Sequence, residues 1–170
     1  MDHFGVGGMI RAVRVAQEAG IPVVADFENL PEDQRFAELV ALVDHPVVSL
    51  DFARRWTGCQ QPADAARALC SAERRVVVVT CGAEGCWYLD GRDPQTVRHQ
   101  PALRVTVVDT TGCGDVFHGA YAAGLAQGLE LPDRIRLASA AAALKATRRG
   151  GQTGIPTRAA VDLFLEEYRP

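Results

Sequence analysis

Apolar residues recur at helical spacing between Met9 and Ala19, at Met9, Ile10, Val13 and Ala16, and Gly20 is a natural stop for that helix. Ile21 to Asp26 then reads as a buried strand ending in an acid. Phe36, Leu39, Val40 and Val43 mark a second helix, with a short strand expected at Val47 to Leu50. Ala63 to Leu69 is helical in pattern. Arg75 to Thr80 is a β-branched run of the kind found in a central parallel strand, buried on both faces. Cys86 to Leu89, Thr96 to His99 and Val105 to Val108 predict shorter strands, partly antiparallel. Three helices close the chain, at about Val116 to Gln127, Leu131 to Arg148 and Thr157 to Tyr168.

This alternation of strands and helices predicts an open, mostly parallel α/β sheet with helices on both faces. In such sheets ligands gather beyond the carboxyl ends of the strands, where Asp26, Ser49, Thr80 and Asp109 are expected. The chain has 170 residues, 48% of them hydrophobic and 23% charged, which suits one compact domain. A net charge of −3 points to neither nucleic acid nor an anionic membrane as partner. Apolar runs are too short to span a bilayer and the first residues do not read as a signal peptide, so a cytoplasmic protein is expected. The five cysteines, Cys59, Cys70, Cys81, Cys86 and Cys113, contain no C-x-x-C pair, and the histidines are scattered. Reduced, mostly buried thiols are the expectation, rather than a metal centre.

The chemistry concentrates in Asp109-Thr110-Thr111-Gly112-Cys113-Gly114-Asp115. A glycine-rich turn that opens a helix aims unsatisfied N–H groups at one point, on the positive end of the helix dipole. That point suits a phosphate. A carboxylate beside it repels a phosphate and makes better sense as a base acting on the group that attacks phosphorus. A plain helix start, with Asp115 favouring the dipole, is the alternative. No G-x-x-x-x-G-K-[ST] and no dinucleotide-binding glycine pattern occurs.

The segment resembles the D-T-x-G-A-G-D signature of the ribokinase (PfkB) family of carbohydrate kinases, with Cys113 in place of alanine. The resemblance implies a three-layer α/β/α fold and ATP-dependent phosphorylation of a sugar hydroxyl. It also implies an anion hole at Gly112, Cys113 and Gly114, with Asp115 as general base. It implies Mg²⁺ with the nucleotide and, in relatives, a monovalent cation such as K⁺ held in part by Asp109 and Thr111; an ordinary Asp/Thr turn is the other reading of those two. Thr80-Cys81-Gly82-Ala83-Glu84-Gly85 resembles the family's T-x-G-x-x-G segment, which implies that Thr80, Gly82 and Gly85 line an ATP site, with Gly151 completing it. A glycine-rich hairpin turn would look the same.

Two departures stand out. Many relatives carry N-x-x-E shortly before T-G, and the acid helps organise Mg²⁺. Counting back from Thr57-Gly58 places Ser49 and Phe52 at those positions, with Asp51 a substitute or merely a helix cap; the segment faintly resembles ketohexokinase-like members. The resemblance also covers only the C-terminal part of the family's domain, without the N-terminal strands and lid. The chain is therefore expected to be a single partial domain, residues 1–170, holding the nucleotide-binding and catalytic portion. The full-length enzyme would pair as a homodimer in many relatives. A truncated or degenerate nucleotide-binding module without kinase activity is the alternative.

Overall fold

The computed structural model describes residues 5–71 and 74–168. Among them it forms seven α-helices and a five-stranded sheet with strand order β1-β2-β3-β4-β5. The chain divides into two compact units, residues 1–82 with 86–99 and residues 83–85 with 100–170.

The first unit begins with α1 (Val6–Glu18), which buries Val6, Ile10 and Val13 along one face. Gly20, at φ 70°, ends it as expected: its N–H donates to Gln17 O and that of Ile21 to Ala16 O. The strand that follows is only Val24–Ala25 (β1), because Ile21 lies exposed and only Val23 and Ala25 turn inward. Next come α2 (Phe36–Leu42) and β2 (His45–Ser49). Leu50 does not extend that strand; it opens α3 (Leu50–Thr57), which the apolar pattern did not reveal. Then α4 (Pro62–Leu69) leads to β3 (Val76–Thr80), β4 (Cys86–Asp90) and β5 (Arg98–Gln100).

Strands β1, β2 and β3 run parallel, in the registers Val24 with His45 and Val48 with Val79. β4 is antiparallel to β3, with Val78 opposite Tyr88. Val76 to Val79 are all buried, which is why the sequence shows no alternation there. The core beneath the sheet gathers Val13, Phe27, Leu39, Phe52 and Leu89. Each such side chain contributes about 1.5–3 kcal/mol by leaving water. Phe27 meets Phe36 edge-on at 5.2 Å, and Phe52 stacks on Trp56 at 6.0 Å.

In the second unit, α5 (Cys113–Ala126) and α6 (Leu131–Ala146) pack closely through small residues, and α7 (Arg158–Glu167) covers them. Gly124 lets the helices approach: a Cβ there would lie 3.0 Å from Arg134 Cγ. Val116, Leu137, Ala140, Ala141 and Val161 form the core. The strand expected at Val105 to Val108 is absent. Those residues belong to no strand; Val107 and Val108 are exposed, and the Val108 N–H is taken by Ala146 O at the end of α6.

Of the five cysteines, all carry free thiols, yet only Cys86 is buried; the other four are partly exposed, so the expectation of mostly buried thiols fails. No helix among the described residues is long and apolar enough to cross a membrane.

The two glycines after β3 differ in kind. Gly82 takes φ 56° with open space around it, whereas Gly85 takes φ 91° and presses on the backbone of Gln100 and Ala102. Gly82→Ala should therefore cost only the left-handed strain of about 1 kcal/mol. Gly85→Ala adds steric overlap with backbone and should cost about 3 kcal/mol or more. Denaturant titrations of the two variants check this, and equal losses would show that close approach at Gly85 is unimportant.

Candidate functional site

The site begins at a helix start with no side-chain cap. Gly112 occupies the N-cap of α5 at φ 75°, a conformation that disfavours any residue with a Cβ. A Cβ there would also come within 3.4 Å of Gly151 O and 3.6 Å of Asp115 Oδ2, so the turn, the acid and the 148–154 loop are already close. The first N–H groups of a helix have no acceptor within it. That of Cys113 turns back to Thr110 O at 3.1 Å, and Val116 N donates to Gly112 O at 3.0 Å. The opening of the helix thus presents the N–H groups of Gly114 and Asp115. Asp115 stands exposed in the first turn. Burial pushes the Cys113 thiol up from its ordinary value, so this side chain stays neutral.

Asp109 holds the turn in place. Its Oδ1 accepts the Thr111 N–H at 2.9 Å and its Oδ2 accepts the Gly150 N–H at 2.8 Å. These donors, the Thr111 N–H first, hold its carboxyl well below the usual carboxylate range. Its main-chain N–H donates to Ala146 O at 3.1 Å. Its main-chain carbonyl accepts from Lys145 Nζ at 3.0 Å. Lys145 is wholly buried, the only lysine in the chain and a residue that the sequence reading passed over inside an alanine-rich helix. Nothing in the spacing of that helix marks it, because a lone lysine on a helix is ordinarily a solvated one.

The acid and the glycines border a cavity of about 600 Å³ that lies within the second unit. Gly112, Asp115 and Gly151 form its polar end, and Leu137, Ala141 and Val161 are part of its apolar wall. Arg158 stands at its rim, bonded to Gln127 at 2.6 Å and to Asp162 at 2.8 Å. A space of this size and mixed lining suits a small organic ligand. Asp109, Thr111, Gly112, Cys113, Gly114, Asp115 and Gly151 are therefore brought together by the fold.

Thr80 and Gly82 belong to the first unit. Thr80 ends β3, and its hydroxyl donates to Val48 O at 3.3 Å, tying the ends of the two parallel strands. Ser49 and Phe52, at the positions of the magnesium motif, do other work. Ser49 caps α3 by accepting the Phe52 N–H at 3.1 Å, and Phe52 is wholly buried in the aromatic cluster. Asp51 is not the cap; it pairs with Arg55 at 3.6 Å on the exposed face. These residues do not fit a magnesium ligand set, and the described residues contain no group of three His, Cys, Asp or Glu side chains able to hold a metal. A monovalent cation at Asp109 fits no better. Both Asp109 carboxylate oxygens already accept N–H groups, and the cation would have to share Asp109 O with a buried ammonium.

Residues 8–158 match the family described as pfkB family carbohydrate kinase. A ribokinase of Lactococcus lactis is 43% identical over 91 residues, which are 54% of this chain and 29% of the relative. Among solved structures, Arabidopsis thaliana ribokinase complexed with ribose and ATP superposes with a TM-score of 0.81 at 25% identity, covering 95% of this chain and 53% of that one. Vibrio cholerae fructokinase, with fructose, ADP and calcium bound, superposes with a TM-score of 0.77 at 28% identity, covering 94% and 55%. The α/β architecture is thus ribokinase-like, and the chain spans about half the length of these solved relatives. A family match over nearly the whole chain, joined to the geometry at Asp109 to Asp115, places it: the chain belongs to the pfkB family of carbohydrate kinases.

Proposed function

We propose that this chain is the nucleotide-binding and catalytic portion of an ATP-dependent sugar kinase. The observation that carries the reading is an exposed carboxylate, Asp115, in the first turn of a helix whose glycine N-cap touches a second glycine loop. In the reaction Asp115 takes the proton of a sugar hydroxyl as the hydroxyl oxygen attacks the γ-phosphorus. The bond from phosphorus to the bridging oxygen breaks and ADP leaves. Such a transfer needs positioning and charge stabilisation more than covalent chemistry. The N–H groups of Gly114 and Asp115, on the positive end of α5, face the equatorial oxygens of the phosphoryl group. Gly112 and Gly151 let the backbone come close to it. Ser49 and Phe52, at the family's magnesium motif, do not fit that ion and take no part in the transfer.

The protein homologues support both halves of this reading, one holding ribose and ATP and another fructose and ADP. The acceptor is accordingly proposed as a sugar hydroxyl without choice among sugars. A second reading, a nucleotide-binding module without catalysis, is favoured by one observation: Ser49 and Phe52, at the positions of the family's magnesium motif, are a helix cap and a buried core ring.

ATP well above its Kd is expected to raise the melting temperature of the chain by several degrees. No shift would mean that the nucleotide site is not formed. Asp115→Asn should leave ATP affinity within about twofold while ADP formation with a sugar panel falls by ~10²-fold or more. Near-normal kcat in that variant would refute the general-base role; ATP binding without turnover for any sugar would favour the binding module.

The clamp at Asp109 gives a pH expectation. Its carboxyl is depressed below the ordinary 3.8, so its contribution to stability is complete above that value and is lost as pH falls through the depressed one. Asp109→Asn should melt lower at neutral pH and lose less on acidification than the parent. Melting curves recorded from neutral to strongly acidic pH decide this, and parallel acid losses would remove Asp109 from the account.

A further inference from the structure

We propose that the Lys145 ammonium occupies the place of a monovalent cation at the phosphate-facing turn, so that this protein is built to work without added K⁺. The cation of the family would draw on oxygens of the Asp109 turn and of the loop after α6. In this chain one of those oxygens, Asp109 O, accepts from a positive charge already covalently attached. Lys145 leaves the last turn of α6, is wholly buried, and donates to Asp109 O at 3.0 Å. Its Cε lies 3.3 Å from where a Cβ on Gly154 would stand, and that same position is 3.3 Å from Gly150 O. Any side chain at residue 154 would press on the lysine, so the glycine makes room for it. The charge is felt on both sides of the turn: it acts on the Asp109 carboxylate and on the Cys113 thiol at the helix opening.

A buried ammonium is costly without compensation, and the compensation visible is the Asp109 carbonyl together with the nearby Asp109 carboxylate. The pair therefore does two things at once. It neutralises the charge, and it fixes the Asp109 turn relative to the end of α6, where Ala146 O accepts from Val108 N and Asp109 N. A free K⁺ added to that turn would meet repulsion rather than an open oxygen cage. Lys145 is thus a positioning residue for the turn. That role in catalysis rests on the kinase reading, whereas the occupancy of the cation place does not.

The test compares the chain in KCl and in tetramethylammonium chloride at equal ionic strength, since the larger ion cannot enter an oxygen cage. The first readout is the melting temperature without nucleotide. The parent should melt within about 1 °C in the two salts. Lys145→Met should melt lower in tetramethylammonium and recover by several degrees with KCl along a saturable curve, as a ligand binding a vacated site requires. Lys145→Arg, which keeps a charge, should gain nothing from KCl. The second readout is ATP affinity, expected to be insensitive to K⁺ in the parent and raised at least about fivefold by K⁺ in Lys145→Met. A parent stabilised selectively and saturably by K⁺ overturns the proposal, and this holds even if Lys145→Met fails to fold. A folded Lys145→Met with no selective K⁺ response overturns it too, because the lysine would then be a structural contact only. If the parent binds no ATP in either salt, the kinase reading fails while the melting data still judge the lysine.

Discussion

The Asp109 turn is held by a set of bonds that no regular secondary structure supplies. Residues 101–108 form no strand, so no strand ladder fixes where α5 begins. The position is set instead by Asp109, through its carboxylate to Thr111 and Gly150, its carbonyl to Lys145 and its N–H to Ala146. All of these partners lie either in the turn itself or at the end of α6 and in the loop beyond it. The consequence is that two glycine-containing segments, Gly112 and Gly150-Gly151, are registered against one another by a single residue. A helix start can bind an anion only where its N–H groups converge, and convergence depends on this clamp.

The turn's composition follows from the closeness that the clamp imposes. Gly112 cannot carry a Cβ on two counts, the positive φ of the N-cap and the approach of Gly151 O. Cys113 is tolerated where the family has alanine because its side chain is partly buried and uncharged, and because its N–H is spent on Thr110. The helix that follows is close-packed on α6 through Gly124 and a run of alanines, which leaves little freedom for its first turn to shift.

How much of this was legible depended on whether the signal was local. The parallel strands at Val47 and Val76 and the helices around Leu39, Ala65 and Ala138 declared themselves through spacing and β-branching. The glycine turn with Asp115 declared itself through a motif whose physics is local too. What escaped was long-range. Val105 to Val108 has strand-forming residues, but the Val108 N–H bonds to the end of a helix rather than to a strand, and propensity cannot see that partner. Leu50 looked like the end of a strand because nothing in its own character announces that Ser49 will cap a helix. Lys145 was invisible for the same reason: its burial is decided by Asp109, far away in sequence, and by Gly154, which clears the space.

Ser49, Phe52 and Lys145 share a logic. At the first two, a position that the family uses for magnesium is given over to folding, with a hydroxyl spent on a helix cap and an aromatic ring spent on the core. At the third, a main-chain carbonyl is taken by a buried side-chain ammonium. Reversing the first exchange would mean burying a carboxylate among Phe27, Phe36 and Trp56, which would leave an uncompensated charge in an apolar cluster. Removing the Lys145 ammonium would leave the Asp109 carbonyl without that donor. The asymmetry is physical: the aromatic core admits no ion in place of Phe52, while the Asp109 turn already balances a positive charge.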